Sequence, residues 1–161
     1  MPDERLGLQV YLYLTHRGQV GYNVAVWGPD DEPLVLDLGG GVVGDDADLD
    51  DFRFEGLQVT QPELRRTAHV SSSSEAVRLE YGFTGVHDAF SYRANPDGLP
   101  SWFAENRLEQ SGRLEGVLEV AGRRIDLHGR MAHRDHSWGC GTGRCRSTGP
   151  GSSPTPTRDV R

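Results

Sequence analysis

Leu8, Val10, Leu12 and Leu14 alternate with Gln9, Tyr11 and Tyr13 near the start of the chain. After His16-Arg17-Gly18-Gln19 the alternation resumes through Val20, Tyr22, Val24 and Val26. A period of two sends successive side chains to opposite faces of a strand, and a short turn-forming insert between two such runs predicts an antiparallel hairpin. Gly28-Pro29-Asp30-Asp31 supplies a second turn and residues 33–38 a third strand. Further strands are predicted near residues 52–59, 65–70, 76–83 and 102–109. The last hairpin is the clearest. Leu114, Gly116, Leu118 and Val120 share one face, Ala121-Gly122-Arg123 turns the chain, and Ile125, Leu127, Gly129 and Met131 continue an inward face. Only residues 62–66 suggest a turn of helix. The predicted class is all-β, an antiparallel barrel or sandwich.

The pattern stops at residue 140. Residues 140–161 are mostly Gly, Ser, Thr, Pro and Arg, with Val160 the single aliphatic side chain. Such a composition buries too little surface to offset its ordering entropy, which predicts a β domain over residues 6–139 and a disordered low-complexity tail over 140–161. Charge divides at the same place. Residues 1–139 carry 13 arginines and 23 acidic residues, whereas the tail is net positive, and the whole chain stands at −7 with no lysine. An acidic body argues against nucleic acid and against an anionic membrane surface as partners. Cys140 and Cys145 are the only cysteines, too few for a disulfide framework or a zinc site. The start, Met1-Pro2-Asp3-Glu4-Arg5, lacks the apolar run of a signal peptide, and the apolar stretches are strand-sized. The expectation is a cytoplasmic protein without membrane insertion.

The chemistry concentrates in His133-Arg134-Asp135-His136-Ser137-Trp138-Gly139. Two imidazoles, a carboxylate and a guanidinium in seven residues can donate, accept or carry protons near neutral pH. If the strand from Ile125 continues without a bulge, His133, Asp135 and Ser137 face inward with Leu127 and Met131, and Arg134, His136 and Trp138 face the other way. Asp135 would then orient His133 as an acid/base pair or bind a polar group of a ligand. The competing reading is a polar cluster that closes the end of the barrel or docks a second domain. Side chains two apart on a strand lie roughly 6–7 Å apart, too far for a direct relay. Nor does the chain hold a nucleophile elbow. No third ligand accompanies His133 and Asp135, so neither a metal nor another cofactor is expected.

Gly39-Gly40-Gly41-Val42-Val43-Gly44 matches a dinucleotide-binding glycine pattern, but an acidic run follows where a helix N-terminus should accept phosphate, so a flexible or bulged turn is predicted. Asp46, Asp48 and Asp50 have calcium-loop spacing without the glycine and glutamate that complete it, and read as a solvated acidic loop. Tyr81, Phe83, Phe90, Tyr92, Trp102 and Phe103 gather the aromatics mid-chain, where they either fill a core or line an apolar cavity. Tyr92 and Trp102 are the candidate ligand-binding aromatics.

Residues 102–139 contain a recognisable block: Glu109-Gln110-Ser111-Gly112-Arg113, Glu115-Gly116, Gly129 and the Arg134-Asp135-His136-Ser137-Trp138-Gly139 string. This block resembles actinobacterial domains of unknown function similar to the carotenoid hydratase (hydroxyneurosporene synthase) and lipocalin-like group. The resemblance implies a lipocalin-like barrel half whose fuller relatives hydrate or cyclise terpenoid- or polyketide-like molecules. It marks Arg134, Asp135, His136 and Trp138 as motif positions. After Gly139 the chain departs from the group's pattern and no second barrel follows, which implies a truncated or frame-shifted N-terminal half. The expected function is binding of an apolar small molecule by a domain derived from a hydratase- or cyclase-type enzyme. His133, Asp135 and His136 are the candidate catalytic groups, and Arg134, Trp138, Tyr92 and Trp102 the candidate ligand contacts. The alternative is a non-catalytic half-domain whose motif forms an inter-domain interface. A cut barrel face is expected to self-associate.

Overall fold

The computed structural model describes residues 1–100 and 102–139. It is all-β, with one 3₁₀ turn at Tyr92–Ala94 and eleven strands among the described residues. β1 (Gly7–Leu14), β2 (Gln19–Trp27) and β3 (Pro33–Val42) form a three-stranded antiparallel sheet in that order. The second sheet takes β4 (Asp51–Phe54), β5 (Leu57–Thr60), β6 (Thr67–Ser73), β7 (Val77–Gly85), β9 (Asn106–Val120) and β10 (Arg123–Asp126), in the order β10-β9-β7-β6-β5-β4. β8 is the two-residue Phe90–Ser91, and β11 (Met131–Trp138) also pairs with β9. The sheets are open, so the sandwich alternative describes this chain. No helix among the described residues is long and apolar enough to cross a membrane.

The chain divides into two compact units. The first holds Met1–Phe90 and Glu109–Asp135. Its core is built from the predicted alternation: Tyr22, Val24 and Val26 of β2 meet Leu57, Val70, Leu79, Phe83, Leu114, Leu118, Ile125 and Leu127 of the other sheet. Leu8, Val10, Leu12 and Val35 pack against that cluster from the flanking strands. Leu118 and Leu127 are fully buried, and truncating either to Ala would cost about 2–5 kcal/mol. The second unit comprises Ser91–Leu108 and the segment from His136. There Asn106, 4% exposed, exchanges hydrogen bonds with Ser91 Oγ and accepts the Arg93 N–H at 3.2 Å. Arg93 pairs with Glu105 at 2.6 Å, and the Glu105 N–H donates to the Trp138 carbonyl at 2.9 Å.

Four expectations change. The strand predicted near residues 52–59 is a hairpin, turned at Glu55-Gly56 with Glu55 at φ 50°. The run from Gly39 to Val42 is no loop but the end of β3, paired with Gln19–Tyr22. A Cβ on Gly39 would lie 2.1 Å from the Tyr22 ring, so the glycine makes room for an aromatic and cradles no phosphate. Residues 62–66 form hydrogen-bonded turns but no helix. The last strand does not run on from Ile125, because β10 ends at Asp126 and the chain turns through Leu127–Arg130 with Gly129 at φ 69°. The predicted tail, with Cys140 and Cys145, lies outside the described residues.

Candidate functional site

The break before β11 decides which motif side chains point inward. Met131 is 58% exposed and Ala132 packs against the core, the reverse of the phase expected from an unbroken strand. His133 and Asp135 are therefore exposed, and Arg134 is the side chain that turns in. The inward His133–Asp135 pair is thus corrected: the four-residue turn shifts the register by one, and a period of two converts that shift into a change of face.

Arg134 lies with its guanidinium 4.7 Å from the centre of the Phe83 ring. Its Nε and Nη2 donate to Gln110 Oε1 at 3.0 and 2.7 Å, and its Nη1 to Gln61 Oε1 at 3.3 Å. All of these acceptors are neutral amides. Burial without a carboxylate partner lowers its pKa below the ordinary arginine value. Arg130 shows the contrast: it meets Asp3 at 2.5 Å and Glu4 at 3.4 Å, and its pKa is raised, chiefly by the hydrogen bond to Asp3. Gln61 in turn donates to Asp50 Oδ1 at 2.5 Å.

Gln110 is 2% exposed and uses both ends of its amide, since its Nε2 donates to the His87 carbonyl at 2.5 Å. Its seat is made by absence of side chains. Gly85 and Gly112 face each other across β7 and β9. A Cβ on Gly85 would lie 2.3 Å from Gln110 Nε2, and one on Gly112 would lie 2.3 Å from the Phe83 ring. Two opposed glycines thus open the space that Gln110, Phe83 and Arg134 fill. His87 closes the cluster. Its Nε2 accepts the Ser111 N–H at 3.2 Å, and its Nδ1 lies 2.7 Å from the Asp88 carbonyl.

The remaining sequence candidates do not converge. His133 Nδ1 sits 3.4 Å from Ser111 Oγ, and its Nε2 lies 3.9 Å from Glu109. His136 meets the Trp138 ring edge to face at 5.4 Å, and Ser137 Oγ accepts from Arg107 at 3.5 Å. Trp102, 61% exposed, stacks edgewise on Phe103 at 5.9 Å, and Tyr92 opens the 3₁₀ turn. Among the described residues no three His, Cys, Asp or Glu side chains gather as a metal set.

A groove of about 530 Å³ opens beside this cluster. Leu64, Arg65 and Arg66 of the β5–β6 connection form one wall, the end of β7 at Gly85 and residues 86–89 after it another, and Gln110 its floor. In the sequence Gln110 stands out only within the block that carries the family resemblance; the signal that could have found it is its phase with Leu114 and Leu118 on one face of β9. Gln61 and His87 carry no such signal, since each stands outside its strand and gains its role from hydrogen bonds across the fold.

No curated protein and no solved structure matches this chain. A family model matches residues 1–143, past the end of β11 at Trp138, and the chain therefore belongs to the family described as a domain of unknown function, DUF7064.

Proposed function

We propose that this chain is a small-molecule-binding β-sandwich domain whose ligand has an apolar body and a polar or anionic head. The observation that carries this reading is the position of Gln110. One buried amide both floors the groove and holds Arg134, which ties the densest motif of the sequence to this groove. A volume of about 530 Å³ suits a small organic ligand. Leu64 and Val86, both exposed, supply apolar wall, and Arg65, Arg66 and His87 supply polar contacts. The resemblance to the carotenoid hydratase group supports a terpenoid- or polyketide-like body for the ligand. Hydratase or cyclase chemistry would call on His133, Asp135 or His136 as the proton donor. A second reading, the motif as a structural fastening, is favoured by Arg134, whose donors are engaged by the chain's own amides.

Two-dimensional NMR titration of the full chain with decanoate, decanol and geraniol tests the proposal. Shifts should centre on residues 64–66 and 85–89. Arg65→Ala with Arg66→Ala should weaken decanoate about tenfold, equal to 1.4 kcal/mol, while leaving decanol unchanged. His133→Ala should alter neither. Shifts confined to residues 133–138 would overturn the groove and put binding on the motif, and none with any probe at millimolar concentration would leave the fastening reading in possession.

A further inference from the structure

The three-stranded sheet has a second face, turned away from the core. Register assigns it: Tyr11 opposes Asn23 and Leu38 opposes Asn23 from the other side, while Leu36 opposes Ala25 and Tyr13 opposes Gly21. Tyr11 and Tyr13 from β1, Trp27 from β2, and Leu34, Leu36 and Leu38 from β3 make this face apolar. Leu38 is 64% exposed and Leu36 52%. None of its outward strand positions carries a charge, in a chain whose residues are 25% charged. A contiguous apolar sheet face bare of charge marks a contact surface.

We propose that this face binds a second copy of the same chain, stacked sheet on sheet about a two-fold axis over Asn23. Three observations select that occupant. A chain of −7 repels its copy wherever charges meet, and this face is where none do. Asn23 is the midpoint of β2, and its buried Oδ1 has no hydrogen-bond partner among the described residues. A two-fold contact sets a residue against itself, and an amide, both donor and acceptor, is self-complementary there once the flanking Tyr11 and Leu38 side chains repack. The ends of β2 also differ in sign, with His16-Arg17 in the turn before it and Asp30-Asp31-Glu32 in the turn after it. An axis that exchanges those ends brings Arg17 of each copy toward the acidic turn of the other. Asp45 and Asp46, beyond β3, keep the rim acidic. Strands about 4.8 Å apart rising about 3.3 Å per residue give a face of roughly 14 by 23 Å. That is small beside the about 800 Å² per partner of a standard stable interface, so the dimer is weak.

Sedimentation equilibrium of the full chain from about 10 µM to about 1 mM, the range in which a contact of this size associates, tests the proposal. The mass should rise from 17.8 kDa toward twice that value as concentration increases. Leu38→Glu and Asn23→Asp should each weaken association by at least about tenfold, and Met131→Glu, on another exposed site, should not. Leu36→Gln repeats the test should Leu38→Glu lose its β circular dichroism. A monomer at every concentration would overturn the proposal. So would equal loss in Leu38→Glu and Met131→Glu, or a monomer that instead binds phosphatidylcholine vesicles.

Discussion

Removing the Gln110 amide should damage the fold more than removing the arginine it holds. In Gln110→Leu the volume stays, but the Arg134 guanidinium loses the acceptor of its 3.0 and 2.7 Å bonds while remaining half-buried over Phe83. Hydrogen bonds to a charged group are worth about 1.5–3 kcal/mol. These two share one oxygen, and the His87 carbonyl loses its donor as well. A total of about 3–4 kcal/mol follows. In Arg134→Met the charge is gone and an apolar chain takes its place on Phe83, so the cost reduces to the unpaired Gln110 oxygen, about 1–2 kcal/mol. The double variant leaves neither group stranded. It should be more stable than the sum of the singles by about 1.5–3 kcal/mol. Urea unfolding followed by tryptophan fluorescence measures all three, and Gln110→Leu should also lower the melting temperature by roughly 10 °C. Additivity within about 0.5 kcal/mol would refute the claim that Gln110 and Arg134 act as a unit.

Gly112→Ala should cost about 1–3 kcal/mol through overpacking, since its Cβ meets not only the Phe83 ring but the Thr84 carbonyl at 2.6 Å, which cannot rotate away; an unchanged urea midpoint would show that the strand pair relaxes freely. Alkaline titration should find the Tyr81 phenol ionising near its burial-raised pKa of about 12, above its ordinary 10.0. Because the folded value is the higher one, that stability is complete below pH 10 and declines as pH rises through 12, by about 2–3 kcal/mol in all. Phenolate absorbance complete by pH 11 in the folded chain would refute it.

The first hairpin and the Leu114–Val120 end of β9 were legible because each keeps one period of two and buries one face, whereas the strand predicted near residues 102–109 belongs to that same long strand, which starts at Asn106. The sequence misled where chain direction turns on unusual residues. Glu55 takes the left-handed conformation in a two-residue turn that reads as uninterrupted strand, because Glu-Gly lacks the Asn or Asp that signals such turns. The motif was legible as a concentration of chemistry, and its orientation was not. Leu127 and Gly129 keep the alternation of β10 on paper, while the hydrogen bond from the Arg130 N–H to the Leu127 carbonyl closes a local turn. The charged pair then looked inward, and the structure seats the arginine there instead. Polar partners such as Gln61 and His87 leave no periodic signal, since a buried amide is defined by what it reaches in space.

The turn at Leu127–Arg130 acts as a parity bit for everything after it. A one-residue deletion there would leave every motif residue present and β11 free to pair, yet it would exchange the two sets of side chains. His133 and Asp135 would look into the sandwich and Arg134 out of it. Two relatives with the same motif and turns differing by one residue would thus hold different chemistry at the same place. In this chain the length of that turn, as much as the letters of the motif, specifies which groups face the interior.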